Sequence, residues 1–211
     1  MREEDYARLL RKPEGAAGIE VALNMNRLNS LMYRHCFHLL PPGPISVLEI
    51  GPGNAAEAAA LLQTRTDIHY TGIDNTQDMV EEGTKRLSAF AGRAVYLLGD
   101  AAALPFPTEQ FDVLLSINTL YFLDNPEIIL QAWLKMLKPG GLMLIGLRSR
   151  ESMEQRSMQR YGFRLFDAPE LLQLMQNAGL NDCNALPIEE APLSTEQQLT
   201  PMHSFVCRGM K

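Results

Sequence analysis

Cysteine is scarce in this chain. Cys36, Cys183 and Cys207 are an odd number with no C-x-x-C pair, which excludes a disulfide framework and suits reduced thiols in a cytosol. Long apolar runs are missing too: none approaches the roughly 18 residues of a membrane span, and the longest are broken by Gly or Pro. Positive charge is in deficit, with 19 Lys and Arg against 25 Asp and Glu for a net charge of -6. The chain therefore offers no electrostatic footprint for a phosphate backbone. Neither nucleic acid nor membrane is expected as a partner. The opening Met1-Arg2-Glu3-Glu4-Asp5 is acidic and lacks an apolar run, so no signal or transit peptide is expected there, and a cytoplasmic location follows by elimination. What is present is 211 residues with 46% hydrophobic and 21% charged content, enough to bury a core without metals or disulfides. One domain, 1–211, is expected, and its oligomeric state is left open.

Residues 18–40 carry Met25, Leu28, Met32 and Leu39 at helical spacing and stop at Pro41-Pro42-Gly43-Pro44, which reads as an amphipathic helix ended by a breaker. This divides the chain into an N-terminal helical segment, 1–44, and an α/β core, 45–211. In the core, short apolar runs at Ile45–Ile50, Ile68–Asp74, Ala94–Leu98, Asp112–Ile117 and Leu142–Leu147 alternate with helical patterns around 54–65, 76–90 and 126–138. That alternation is the mark of a parallel sheet with crossover helices. Asp167-Ala168-Pro169-Glu170 has the capping-box pattern and opens a further helix that Gly179 ends. Two strands are expected to close the chain, around Asp182–Ile188 and Ser204–Arg208, with a Pro- and Gln-rich stretch of no pattern between them.

The chemistry concentrates in Val47-Leu48-Glu49-Ile50-Gly51-Pro52-Gly53-Asn54-Ala55-Ala56, an apolar strand running through a glycine turn into an Ala-rich helix. Such a turn brings bare backbone and the unpaired N–H groups of a helix start against a ligand. Alone, it is a weak signal, whose bland reading is a tight strand-to-helix turn. Asp74 ends the next apolar run 21 residues after Gly53, where a carboxylate can accept both hydroxyls of a ribose. Two nucleotide classes then remain. The glycines fit a dinucleotide pattern with Ala in the last place, but Glu49 would lie close to a pyrophosphate, and a ligand bearing an ammonium group suits it better. His35 and His38 lie near one helix face without a third ligand at fixed spacing, and no metal site is expected. Arg148-Ser149-Arg150-Glu151 reads as a solvated loop at the mouth of the site.

Taken together, these blocks resemble the class I S-adenosylmethionine-dependent methyltransferases. Val47 to Gly53 looks like that family's first motif, Gly72-Ile73-Asp74 like its second, and Gly99-Asp100-Ala101 through Leu104-Pro105-Phe106 like its third. Phe111-Asp112-Val113-Leu114 and the later Leu137-Lys138-Pro139-Gly140-Gly141 resemble its fourth strand and the turn into its fifth. The resemblance implies a doubly wound, mostly parallel, seven-stranded Rossmann-like sheet with helices on both faces and an antiparallel last strand. It implies S-adenosylmethionine as cofactor, S-adenosylhomocysteine as product, and a small organic molecule as methyl acceptor. Gly51, Gly53 and Asn54 would pass the methionyl part and Glu49 would sit by its amino group. Asp74 and Asn75 would lie at the ribose, Met79 near the adenine, Asp100 and Ala101 at the adenine edge, and Ser116, Ile117 and Asn118 would complete the clamp. Asn118 and Tyr121 are candidates for acceptor contacts. So are Asn29 and Tyr33, because Asn26, Asn29, Tyr33 and Phe37 form a polar-aromatic stripe on a helix expected to act as a lid, hinged at Pro13 to Gly18. Two rivals stay open: a module that holds the cofactor without turnover, and a nicotinamide oxidoreductase.

Overall fold

The computed structural model describes residues 1–194 and 199–211. Of the Pro- and Gln-rich stretch read as patternless between the last two expected strands, residues 195–198 lie outside the described residues, and the rest extends those strands, which run Asn181–Ser194 and Leu199–Met210. Strands β1 (Ile45–Ile50), β2 (Ile68–Asp74), β3 (Ala94–Leu98), β4 (Phe111–Ile117), β5 (Leu137–Arg148), β6 (Asn181–Ser194) and β7 (Leu199–Met210) form one sheet in the order β3-β2-β1-β4-β5-β7-β6. The first five are parallel, and β7 enters antiparallel between β5 and β6. The strand order reverses beside β1, so the ends of β1 and β4 open a crevice at the C-terminal edge of the sheet.

The period-two alternation of each strand assigns its residues to two apolar layers. Leu48, Ile50, Leu114, Met143 and Ile145 join one layer with Trp133, Leu171 and Met175, while Val47, Val113, Leu115 and Leu144 join the other with Met32, Cys36 and Leu62. The helices divide accordingly. α5 (Pro126–Met136) and α7 (Ala168–Ala178) cover the first face, and α2 (Gly15–His38), α3 (Ala56–Thr64) and α4 (Gln77–Leu87) cover the second. Among the described residues no helix is long and apolar enough to cross a membrane.

Several local expectations change. Lys138-Pro139-Gly140-Gly141 does not end the strand pattern. β5 begins at Leu137, and the register jumps from Phe111↔Leu137 to Val113↔Leu142, so these residues form an irregularity within the strand. Asp167 does precede α7, but it makes no capping hydrogen bond. Its carboxylate and that of Glu170 hold the Arg150 guanidinium at 2.8 and 2.5 Å instead. Of the expected apolar row only Met32 is buried, in company with Val21, Ala22, Tyr33 and Cys36 on α2, while Met25, Leu28 and Leu39 remain half-exposed. A further helix, α1 (Glu3–Arg11), precedes it and buries Ala7 and Leu9. In the segment Pro13 to Gly18, expected to hinge, α2 already begins at Gly15, and the missing side chain of Gly18 lets the backbone of Pro13 pack within 2.4 Å of where a Cβ would stand.

Candidate functional site

β1 delivers the chain to the crevice, and two glycines turn it. Gly51 (φ 73°) donates its N–H to the Ile73 carbonyl at 2.9 Å, and Gly53 follows at φ 59°. Both angles lie in the left-handed region that glycine adopts without steric cost. A Cβ at Gly53 would find no heavy atom within 4 Å, and Gly53 is one of the residues that line the cavity at this turn. Ala55 also takes a left-handed conformation (φ 54°) immediately before α3. Tyr96 fixes the turn from below: its hydroxyl donates to the Gly53 carbonyl. The Tyr96 ring fits because Gly83 on α4 has no side chain, a Cβ there falling 2.0 Å from it.

Asp74 faces the same turn. Its carboxylate accepts from Gly53 N–H at 3.1 Å and Thr76 N–H at 3.0 Å. Burial raises its pKa to about 6 against the pull of those two donors. Glu49 lies deeper, 1% exposed. The hydroxyls of Tyr33 and Tyr70 each donate to one of its carboxylate oxygens at 2.7 Å, and burial pushes its pKa up to about 7 in spite of them.

Opposite the glycine turn, a cavity of about 140 Å³ runs beneath α1 and α2. Asn26 Nδ2 donates to Asn54 Oδ1 at 3.0 Å, and Asn118 Nδ2 donates to Asn29 Oδ1 at 3.0 Å. These bonds tie α2 to the ends of β1 and β4. The Tyr121 hydroxyl lies 2.9 Å from Asn118 Oδ1 and 3.0 Å from the Arg148 carbonyl, so it serves the frame of the site. Burial raises its pKa. The far wall comes from α6 (Arg150–Glu154) and the residues after it, through Met153, Arg156, Met158 and Phe163.

Of the residues expected at the cofactor, Gly51, Gly53, Asn54, Asp74, Ile117 and Asn118 line this cavity, as do Asn29, Tyr33 and Tyr121 from the acceptor set. Glu49, Asn75, Met79, Asp100, Ala101 and Ser116 are not in its lining. Glu49 reaches it only through Tyr33. Met79 and Ser116 are fully buried, whereas Asn75 and Asp100 are exposed, with Asp100 Oδ1 accepting from Ala102 N–H at 2.8 Å. Ala101 gives its carbonyl to the indole of Trp133 at 2.9 Å. The expectation of a solvated loop at Arg148 is overturned: Arg148 is 5% exposed, and its Nη2 donates to the Leu28 carbonyl at 2.9 Å and to Glu190 at 3.2 Å. Sequence reasoning also missed Tyr70 and Tyr96. His35 and His38 are both exposed, and among the described residues no group of three His, Cys, Asp or Glu could hold a metal.

Comparison with known proteins gives concordant matches. The profile of a methyltransferase domain family matches residues 48–145. The fatty-acid O-methyltransferase of Mycolicibacterium smegmatis is 29% identical over 135 residues, 64% of this chain and 46% of its own length. The chain therefore spans under half the length of that relative. An S-adenosylmethionine-dependent methyltransferase of Thermotoga maritima, a possible histamine N-methyltransferase, superposes with TM-score 0.66 at 26% identity, covering 90% of this chain and 96% of its own. A Haemonchus contortus phosphoethanolamine N-methyltransferase bound to phosphomonomethylethanolamine and S-adenosylhomocysteine superposes with TM-score 0.73 at 13% identity, over 100% of this chain and 60% of its own. That last likeness concerns the fold alone.

Proposed function

We propose that this chain, similar to the S-adenosylmethionine-dependent methyltransferases in sequence and fold, is a class I member of them that binds S-adenosylmethionine along the Gly51–Asn54 turn and methylates a small organic acceptor in the cavity beneath α1 and α2. The observation that carries this reading is the cradle at Gly53. Gly53, with open space where a side chain would stand, lines the cavity together with Asp74 and Asn54. These residues fit the cofactor. A carboxylate at the end of the second strand suits the paired hydroxyls of a ribose, and bare backbone suits an amino-acid tail.

When bound, the cofactor supplies a methyl group already activated on a sulfonium. The chain's own task is then orientation and exclusion of water. The titratable side chains in the lining are Tyr33, Asp74, Tyr121, Arg148 and Arg156, with no histidine, lysine or cysteine. Tyr33 and Tyr121 have raised pKa values and direct their hydroxyls to Glu49 and to Asn118 or Arg148. Both act as positioning residues. Asp74 serves the ribose, Asn118 the junction of cofactor and acceptor, and the two N-terminal helices shut the cavity from solvent. Glu49 contributes negative potential at second hand, through Tyr33.

Calorimetry with S-adenosylhomocysteine tests the binding, and release of S-adenosylhomocysteine from S-adenosylmethionine across mixtures of small acceptors tests the transfer. A folded protein that ignores S-adenosylhomocysteine would sink the proposal. Binding without turnover on any acceptor class would make the chain a cofactor-holding module, and binding of NADH in its place would favour the oxidoreductase.

A further inference from the structure

Arg148 sits at the end of β5 in a position that its protein partners do not complete. The side chain is 6% exposed, yet it lines the cavity. Nη2 is engaged by the Leu28 carbonyl and by Glu190, whereas Nε is buried with no hydrogen-bond partner among the described residues. Buried guanidinium donors are rarely left unpaired, because the desolvated N–H recovers no bond inside the protein. Glu190 is itself shared with the hydroxyl of Ser204, so its negative charge is spread over two donors. A second cation, Arg156, borders the same cavity from the segment after α6, with its guanidinium 5.9 Å from the Tyr6 ring. Apolar groups fill the wall around the two: Leu9, Leu10, Met153, Met158, Phe122 and Phe163.

Two arginines against one partly shared carboxylate leave about one net positive charge in a greasy enclosure. Asp74 is the acid among the lining residues, and it belongs to the glycine turn. We propose that Arg148 and Arg156 form the recognition site for the carboxylate of a methyl acceptor that carries an apolar body. A monoanion matches the single unbalanced charge, and a planar carboxylate matches the planar donor array of a guanidinium. A phosphate monoester would bring nearly twice that charge. The proposal rests on the reading of this cavity as the acceptor site of a methyltransferase, and it names the substrate class that the site takes.

The test uses the full chain, with and without saturating S-adenosylhomocysteine, titrated calorimetrically with octanoate, its neutral analogue octanamide, and octyl phosphate. Octanoate should bind about ten- to a hundredfold more tightly than octanamide, the range of a hydrogen bond to a charged group. Arg156→Gln should erase part of that preference. Arg148→Met made together with Glu190→Gln, which removes the buried pair without stranding a charge, should erase most of it. Affinity for S-adenosylhomocysteine and the thermal unfolding midpoint serve as controls that these variants remain folded. Equal binding of octanoate and octanamide, no binding of either, or an octanoate preference that survives in both variants would overturn the proposal. Tighter binding of octyl phosphate would overturn the choice of carboxylate. Failure to bind S-adenosylhomocysteine would instead be a failure of the methyltransferase reading, and the titrations without it would still decide whether the arginines hold a carboxylate.

Discussion

Replacing Glu49 by Gln should change how the stability of this protein depends on pH. Glu49 is 1% exposed, and its two partners are tyrosine hydroxyls rather than cations. Burial therefore dominates and lifts its pKa from the ordinary 4.5 to about 7. A carboxyl with a raised folded pKa stabilises the fold fully below its unfolded pKa. That contribution is lost as pH rises through the folded value. From 4.5 to about 7, at about 1.4 kcal/mol for each tenfold change in protonation, the loss is about 3 kcal/mol. Glutamine keeps the shape but cannot ionise; its amide oxygen accepts from one tyrosine hydroxyl and its amide nitrogen must donate to the other. Urea unfolding of both proteins at pH 4 and at pH 8 gives four free energies. The wild-type value minus the Glu49→Gln value should fall by about 3 kcal/mol between the two pH values, and the contribution of Asp74 cancels in the difference. A difference that stays constant would mean an unshifted carboxyl and one that rises with pH a lowered pKa, and either result would mean that burial does not govern Glu49.

Asp74→Ala should weaken S-adenosylhomocysteine binding by about 1.5–3 kcal/mol, the scale of a hydrogen bond to a charged group; unchanged affinity in calorimetry would remove Asp74 from the ribose. Because ribose hydroxyls and an ammonium favour the ionised carboxylate, wild-type affinity should tighten as pH rises through about 6, the raised pKa of Asp74, and a flat profile would contradict this. Gly53→Ala should destabilise the fold by about 1–2 kcal/mol through its left-handed backbone and should also lower cofactor affinity, since the new methyl enters the cradle. Loss of stability with full affinity would separate the turn from the ligand. Hydrogen exchange in residues 19–37 should slow when S-adenosylhomocysteine binds, and an unchanged pattern there would reduce α2 to scaffolding.

The sheet was legible because each of its parallel strands contains a short apolar run: Ile45–Ile50, Ile68–Asp74 and Ala94–Leu98 have the same bounds in sequence and structure. β5 was read short because Lys138-Pro139-Gly140-Gly141 has the composition of a turn, and composition does not report an irregularity kept inside a ladder. α1 was invisible because its charged face dominates nine residues that bury only Ala7 and Leu9. The glycine turn and Asp74 were legible from spacing, since both lie at strand ends. The partners that complete the site were not. Tyr33 and Tyr70 reach Glu49 across 16 and 21 positions, and Arg148 meets Glu190 across 42. The wall at 153–163 did leave a trace, in Met153, Met158 and Phe163 set at intervals through an otherwise polar stretch.

The placement of β7 between β5 and β6 has a consequence for the order of assembly during synthesis. Residues 137–148 pair on one side with β4, but their other edge must wait for residues 204–210, some sixty positions later. Until those residues leave the ribosome, β5 is an uncovered apolar edge available to a neighbouring chain. The cavity matures equally late, because the guanidinium of Arg148 is gripped by the Leu28 carbonyl near one end of the chain and by Glu190 near the other. A nascent chain stalled before β6 would thus hold a nearly finished glycine turn beside an arginine with no counter-ion. Cofactor added at that stage would meet a ribose cradle whose companion cavity lacks the Glu190 anchor of Arg148, so full ligand-binding competence should appear only with the last two strands, well after most of the sheet has formed.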